Sequence, residues 1–201
     1  MKVDGIEWTS IISPKEIIDG MANNACWSSE PCMDFTTNEY TMGHNCCIKS
    51  NKEYQTIFSD LNVIAPVASS VAKYRNLRTA GQPKSTFTFG ACHFSVDGEH
   101  YKQTLRSLGI EARTRLFLNK IYGIQFSKPV LEKAKMDAEL YPPTYYEKSL
   151  SRAIRDIQGV GNPFTIDDWK KKKPTPYRNQ EAVNLLDKIG ELADINATNQ
   201  K

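Results

Sequence analysis

Apolar residues in this chain return mostly at intervals of three and four, the period of helices with one buried face. After Ser50-Asn51-Lys52-Glu53, which has the form of a capping box, EYQTIFSDLNVI puts Tyr54, Ile57, Phe58 and Leu61 on one side. Pro66 interrupts, and APVASSVAKYRNLR reads as the next helix, ending in a basic turn. A helix through YKQTLRSL is expected to stop at Gly109, and GIEARTRLFLNKIYGIQF (109–126) to form another that ends near Gly123. Ser127-Lys128-Pro129 opens a helix through LEKAKMDAEL, and Thr144-Tyr145-Tyr146-Glu147 caps YYEKSLSRAIRDIQG. Thr165 starts a short turn through Trp169, and NQEAVNLLDKIGELADI is the last amphipathic helix.

Period-two patterning is scarcer. STFTFGACHFSV alternates, with Phe87 and Phe89 on one side, and Asp97-Gly98 marks a turn, so a strand or short hairpin is expected there. Near the start, Ser13-Pro14-Lys15-Glu16 opens a helix to about residue 24. These patterns predict a mainly α, single-domain helical bundle with a small β hairpin and extended terminal arms. Residues 1–50 form an acidic, cysteine-containing arm in this reading, and residues 51–201 a helical core with a C-terminal helix.

At 201 residues, 40% hydrophobic and 24% charged, the chain has the composition of one globular domain. No apolar run approaches the roughly 18 to 20 residues that span a bilayer, so no membrane partner is expected. MKVDGIEWTSIISPKEII lacks the apolar core of a signal peptide. A cytosolic or nuclear location follows as the expectation, with the five cysteines as free thiols rather than disulfides.

The net charge of +3 is unevenly spread. Residues 1–50 carry three Lys or Arg against seven acids, a net of −4, whereas residues 73–128 carry ten against three, a net of +7. An anionic partner for the middle, an acidic segment within or between subunits, or a solvated basic face would each account for this. On a helical wheel Ile110, Thr114, Phe117, Leu118 and Ile121 share a face, with Arg113 and Lys120 on one shoulder and Arg115 on the other. Basic groups so placed can lay their stems on the core rim and track phosphates. Lys73, Arg75, Arg78, Lys84 and Arg106 complete the candidate nucleic-acid-binding set, although the first three also suit a helix C-terminus. Tyr74, beside Arg75, and Phe117 and Tyr122, flanking Lys120, could stack on bases, but Phe117 reads as core. Arg115 equally suits an ion pair, with Asp156 as a candidate partner.

Arg115 with Phe117, followed by Pro142, Pro143, Tyr145 and Asp156, resembles the coat proteins of flexuous filamentous plant viruses. QPKSTFTFGACHF is similar to the strand that precedes this helix in closterovirus coat proteins. The resemblance covers residues 82–160, and Ile157 stands where the family carries an aromatic residue. It implies a viral capsid or nucleocapsid subunit, not an enzyme, that polymerises helically on single-stranded RNA in the virion or host cytoplasm. Arg115–Asp156 would be a structural ion pair in such a subunit. FSVDGEHYKQTLRSLGIEARTRLFLNKI also resembles a ribbon-helix-helix DNA-binding regulator, with a first helix about one turn short.

Other chemistry is thinly supported. Cys26, Cys32, His44 and Cys46 could ligate zinc and stabilise an interaction module, yet C-x5-C followed by H-x-C-C departs from the usual ligand spacing. Small buried thiols fit the segment better, and no cofactor is expected. Cys92-His93 would suit a thiol enzyme only if the two met, and neighbours on a strand point apart. No phosphate-binding loop, nucleophile elbow or zinc-protease motif occurs. Lys170-Lys171-Lys172-Lys173-Pro174 reads as a solvated run, with a nuclear import signal or an RNA strap as alternatives.

Overall fold

A computed structural model of the chain describes residues 5–28, 31–34, 39–75, 79–80, 84, 87–88, 95–102 and 104–170. In chain order the elements are β1 (Ile6–Ser10), α1 (Pro14–Asp19), α2 (Ala25–Ser28), β2 (Cys32–Asp34), β3 (Glu39–Thr41), α3 (His44–Ser50), α4 (Lys52–Phe58), β4 (Ile64–Ala68), α5 (Ser69–Arg75), β5 (Thr79–Ala80), β6 (Phe87–Thr88), β7 (Ser95–Val96), β8 (His100–Lys102), α6 (Leu105–Tyr122), α7 (Lys128–Leu140) and α8 (Tyr145–Gln158). The protein is predominantly helical, with antiparallel ribbons β1–β4 and β2–β3 and a small sheet in the order β5-β8-β7-β6. The β7–β8 turn is built as its sequence predicts. Asp97 accepts backbone N–H bonds from His100, Lys84 and Glu99, which hold its carboxyl down to about 2.

The N-terminal fifty residues do not stand off as an arm. Ile12, Ile17, Ile18, Met21, Cys26, Cys46 and Cys47 share one core with Tyr54, Ile57, Val63, Phe117, Leu118 and Ile124. Ser13 caps α1 through its hydroxyl, as predicted, which turns Ile17 and Ile18 inward at 0% exposure. The cysteines anchor this segment as disulfides, Cys26–Cys47 and Cys32–Cys46, not as free thiols. These bonds join α2 and β2 to α3 across 21 and 14 residues of sequence. Cys92 lies outside the described residues.

Two further expectations change with the structure. The helix expected over 65–78 begins only at Ser69. Residues 64–68 are instead a strand paired with β1, Trp8 opposite Pro66. Gly109 does not end a helix, because α6 runs through it for 18 residues. A side chain at Gly109 would collide with the Tyr141 carbonyl, so this glycine admits a close approach between α6 and the chain after α7. One continuous helix behind the β7–β8 hairpin also removes the ribbon-helix-helix reading, which needs two.

All eight residues from Glu111 to Leu118 are buried, so α6 has no exposed rim there. The charged side chains of this stretch are paired inside. Arg113 donates to both Glu147 carboxylate oxygens at 2.7 Å and to the Tyr141 carbonyl at 2.6 Å. Arg115 donates to Glu16 at 2.6 and 3.1 Å and reaches Glu111 at 3.4 Å. Burial alone would lower the Arg115 guanidinium, but the Glu16 carboxylate, with Glu111 behind it, raises it. Thr144 caps α8, while Glu147, expected to cap in return, gives its carboxylate to Arg113.

Arg115→Ala will take the bidentate cation from the half-buried Glu16 and destabilise the fold by about 3–5 kcal/mol in urea unfolding. Arg113→Ala will cost about as much by the same measure. A thiol titration of the unfolded, unreduced chain will count one reactive thiol of the five cysteines, and reduction will lower stability by about 2–4 kcal/mol per bond.

Candidate functional site

A groove of about 710 Å³ lies between β1 and α3. β1 supplies Trp8 and Ser10, α2 supplies Trp27, and the start of α3 supplies His44 and Asn45, with Phe58 of α4 behind. The sequence builds the two walls differently. On β1 the alternation of IEWTS places Ile6 and Trp8 together, and they are 72% and 69% exposed.

The opposite wall is fixed covalently, because both disulfides end in α3, at Cys46 and Cys47. Gly43, at a φ of 69° that L side chains rarely adopt, starts this helix and donates its N–H to the Trp27 carbonyl at 3.0 Å. His44 follows at once, with its position set by three contacts to two residues. Its Nδ1 lies 2.8 Å from the Tyr54 hydroxyl, and its ring meets Tyr54 and Phe58 edge-on at 5.7 and 5.1 Å. Burial lowers the imidazole from its ordinary 6.5 and raises the Tyr54 phenol. The imidazole is therefore neutral at pH 7. With Nδ1 engaged by Tyr54, Nε2 is the nitrogen left to act in the groove.

Among the described residues of the expected basic trough, Arg113 does not contribute to it. Arg113 is 2% exposed and bound to Glu147, away from any phosphate. Lys120 is exposed, but its ammonium stands 5.5 Å from the ring centres of both Phe164 and Trp169. Lys73 is exposed on α5, and Lys84 is exposed beside the Asp97 turn. The side chains of Arg75 and Arg106, and the whole of Arg78, lie outside the described residues, as do Phe89, Cys92, His93 and Lys171 to Lys173. The Arg115–Asp156 pair is not formed. Arg115 binds Glu16 because it faces α1, whereas Asp156 accepts from its neighbour Arg155 at 3.0 Å.

The zinc reading also gives way. Cys26, Cys32 and Cys46 are consumed in disulfides, and His44 is held by Tyr54. Among the described residues, no three His, Cys, Asp or Glu side chains form a group that could hold a metal. No described helix is long and apolar enough to cross a membrane. The groove itself had a signal in the sequence: the alternation of GIEWTS and the β-branched run around Pro66, two strands separated by more than fifty residues.

The pH dependence follows from His44. Its folded value lies below 6.5, so the unfolded chain binds a proton more readily. This contribution to stability is complete above about pH 6.5 and declines as the pH falls below it. Thermal melts from pH 8 to 5 will show that decline in the native chain, and His44→Gln will flatten it.

Compared with known proteins, no family model matches the chain. Endonuclease-1 of Buchnera aphidicola subsp. Acyrthosiphon pisum (strain APS) is 27% identical over 136 residues, which cover 65% of this chain. The chain spans about half the length of that curated relative, 53% of it. The match corrects the expected viral capsid or nucleocapsid role, and with it the expectation that the chain is not an enzyme. Its similarity is to an endonuclease.

Proposed function

We propose that this chain is an endonuclease-type protein that takes a nucleic-acid strand into the β1–α3 groove. The 136-residue match to Endonuclease-1 carries this reading. The groove supports it with chemistry suited to unpaired bases. Trp8 offers an open ring, Trp27 adds a second indole to the lining, and Asn45 supplies hydrogen-bonding groups. A base stacked on an aromatic side chain gains about 1–3 kcal/mol whatever its identity, which suits binding without sequence preference.

His44 is the groove's proton acceptor in this reading. A neutral imidazole positioned through Nδ1 can accept, at Nε2, the proton of a water whose oxygen bonds to phosphorus as one P–O ester bond of the phosphodiester breaks, the leaving oxygen taking a proton from solvent. Two disulfides in the groove's framework support a working location in an oxidising compartment.

The full chain, incubated with supercoiled plasmid in buffer containing a divalent cation, will produce relaxed and linear forms. His44→Ala will slow this by about 10²–10⁴-fold, the usual contribution of a general base. Trp8→Ala will weaken binding of a single-stranded oligonucleotide by roughly 5- to 150-fold, equivalent to one lost stack, without a change in melting temperature. Binding will weaken as salt rises, through release of counterions. An intact plasmid, together with oligonucleotide binding that is absent or indifferent to Trp8, would overturn the proposal.

A further inference from the structure

We propose that a second cleft, beside α4, is a further contact for the same nucleic-acid strand, with Lys52, Lys120 and Lys170 holding its phosphates. The inference rests on the reading of the β1–α3 groove as a strand site, and it supplies what that groove lacks. The groove's described lining offers Trp8, Trp27 and His44 but no lysine or arginine, and its Glu7 carboxylate repels phosphate. Bases can stack there, yet the phosphates, which carry the salt-dependent part of a strand's affinity, meet no cation. Cations for the backbone have to stand outside it.

A cleft of about 490 Å³ lies on another side of α4. Phe58 lines the groove, whereas Gln55, Thr56 and Ser59 line the cleft, so α4, roughly 10–12 Å across, separates the two. Lys52, exposed at the start of α4, belongs to the cleft. So do Ile121, at the end of α6, and Val160, just after α8. Lys120 directly precedes Ile121, and Lys170 is bridged through its backbone to Val160. The two lysine side chains converge on one ring. Nζ of Lys170 lies 4.5 Å and Nζ of Lys120 5.5 Å from the centre of the Trp169 indole, which leaves the two ammonium groups at most about 10 Å apart.

Like charges gathered on one ring repel each other, and a polyanion relieves that repulsion. Neighbouring carboxylates are spent elsewhere: Asp168 on Arg155 and Arg152, and Asp60 on Tyr122, Asn62 and Gln158. Among the described residues neither ammonium has an ion-pair partner. The indole contributes a second advantage. A free surface lysine loses rotamer freedom when it binds, whereas an ammonium already held against a ring loses less. On the α4 side, the Thr56 and Ser59 hydroxyls donate to the Lys52 and Gln55 carbonyls at 2.9 and 2.7 Å. Their lone pairs stay available to the amino and hydroxyl groups of a nucleotide.

Fluorescence anisotropy with oligothymidylates on the full chain tests the proposal. Lys120→Gln with Lys170→Gln will bind a strand of about 20 nucleotides roughly tenfold more weakly at about 50 mM salt. The slope of log affinity against log salt will become shallower by about 1.4, or about 0.7 for each lost phosphate contact. A strand of about four nucleotides, which fills the groove alone, will bind variant and native chain alike. Lys120→Arg with Lys170→Arg will keep the native slope, as will Lys135→Gln with Lys148→Gln, exposed lysines outside the cleft. Melting temperatures will report an intact fold. If the first pair melts lower, Lys52→Gln decides alone, through a slope change of about 0.7. An unchanged slope overturns the proposal, as does equal loss in the Lys135 and Lys148 variant or for the short strand. Binding that needs Trp8 but none of these lysines sinks this inference alone, whereas binding indifferent to Trp8 overturns the groove reading and this inference with it.

Discussion

Three charged side chains on the buried stretch of α6 constrain the rest of the molecule. Glu111, Arg113 and Arg115 are 4%, 2% and 8% exposed, and removing each ion from water costs several kcal/mol unless a partner meets it. The partners come from different parts of the chain: Glu16 on α1, Glu147 on α8 and the Tyr101 hydroxyl on β8. Apolar contact alone is non-directional and would tolerate several rotations of the surrounding elements about α6. Bidentate guanidinium–carboxylate pairs are not so permissive, since their fork geometry fixes both angle and distance.

That constraint extends to the groove. Glu16 lies on α1, whose cap Ser13 stands three residues beyond the end of β1, so the Arg115–Glu16 pair ties the strand bearing Trp8 to the central helix. The facing wall is held by other means, through two disulfides into α3 and the Tyr54 contact to His44. A site between two separately anchored walls keeps its width. Asp60 plays the same part at the far end of α6. It gathers the Tyr122 hydroxyl, the Asn62 N–H and the Gln158 amide and so ties the ends of α4, α6 and α8 together.

Local signals in the sequence proved more legible than distant ones. Ser13 and Thr144 cap helices where their spacing says they should, and Asp97-Gly98 makes its turn, because each device closes within a few residues. Asn51, one residue beyond the expected Ser50, caps α4. Gly109 misled because its role is set by the Tyr141 carbonyl, thirty-two positions away, and nothing near Gly109 announces that approach. Strands β1 and β4 were missed for a related reason. Each is short, and the partner that satisfies its backbone lies beyond any window in which alternation can be counted. The cysteines were misjudged through an inference about compartment, not spacing, and spacing cannot specify which of them pair.

The charge asymmetry shows how a correct count can support a wrong partner. The central block does carry an excess of seven positive charges, and an anionic polymer was one reading of it. Another was an acidic segment of the same chain, and for Arg115 that is the outcome, since Glu16 belongs to the acidic first fifty residues. Arg113 is neutralised from the other direction, by Glu147 beyond the block. A net charge along a sequence window reports on partners only if its members stay in water. Once α6 is enclosed, two of its most prominent cations become internal cross-links. In the proposed function, recognition of a strand rests on surface chemistry elsewhere: the open indole of Trp8 and the imidazole of His44, neither of which a charge count registers.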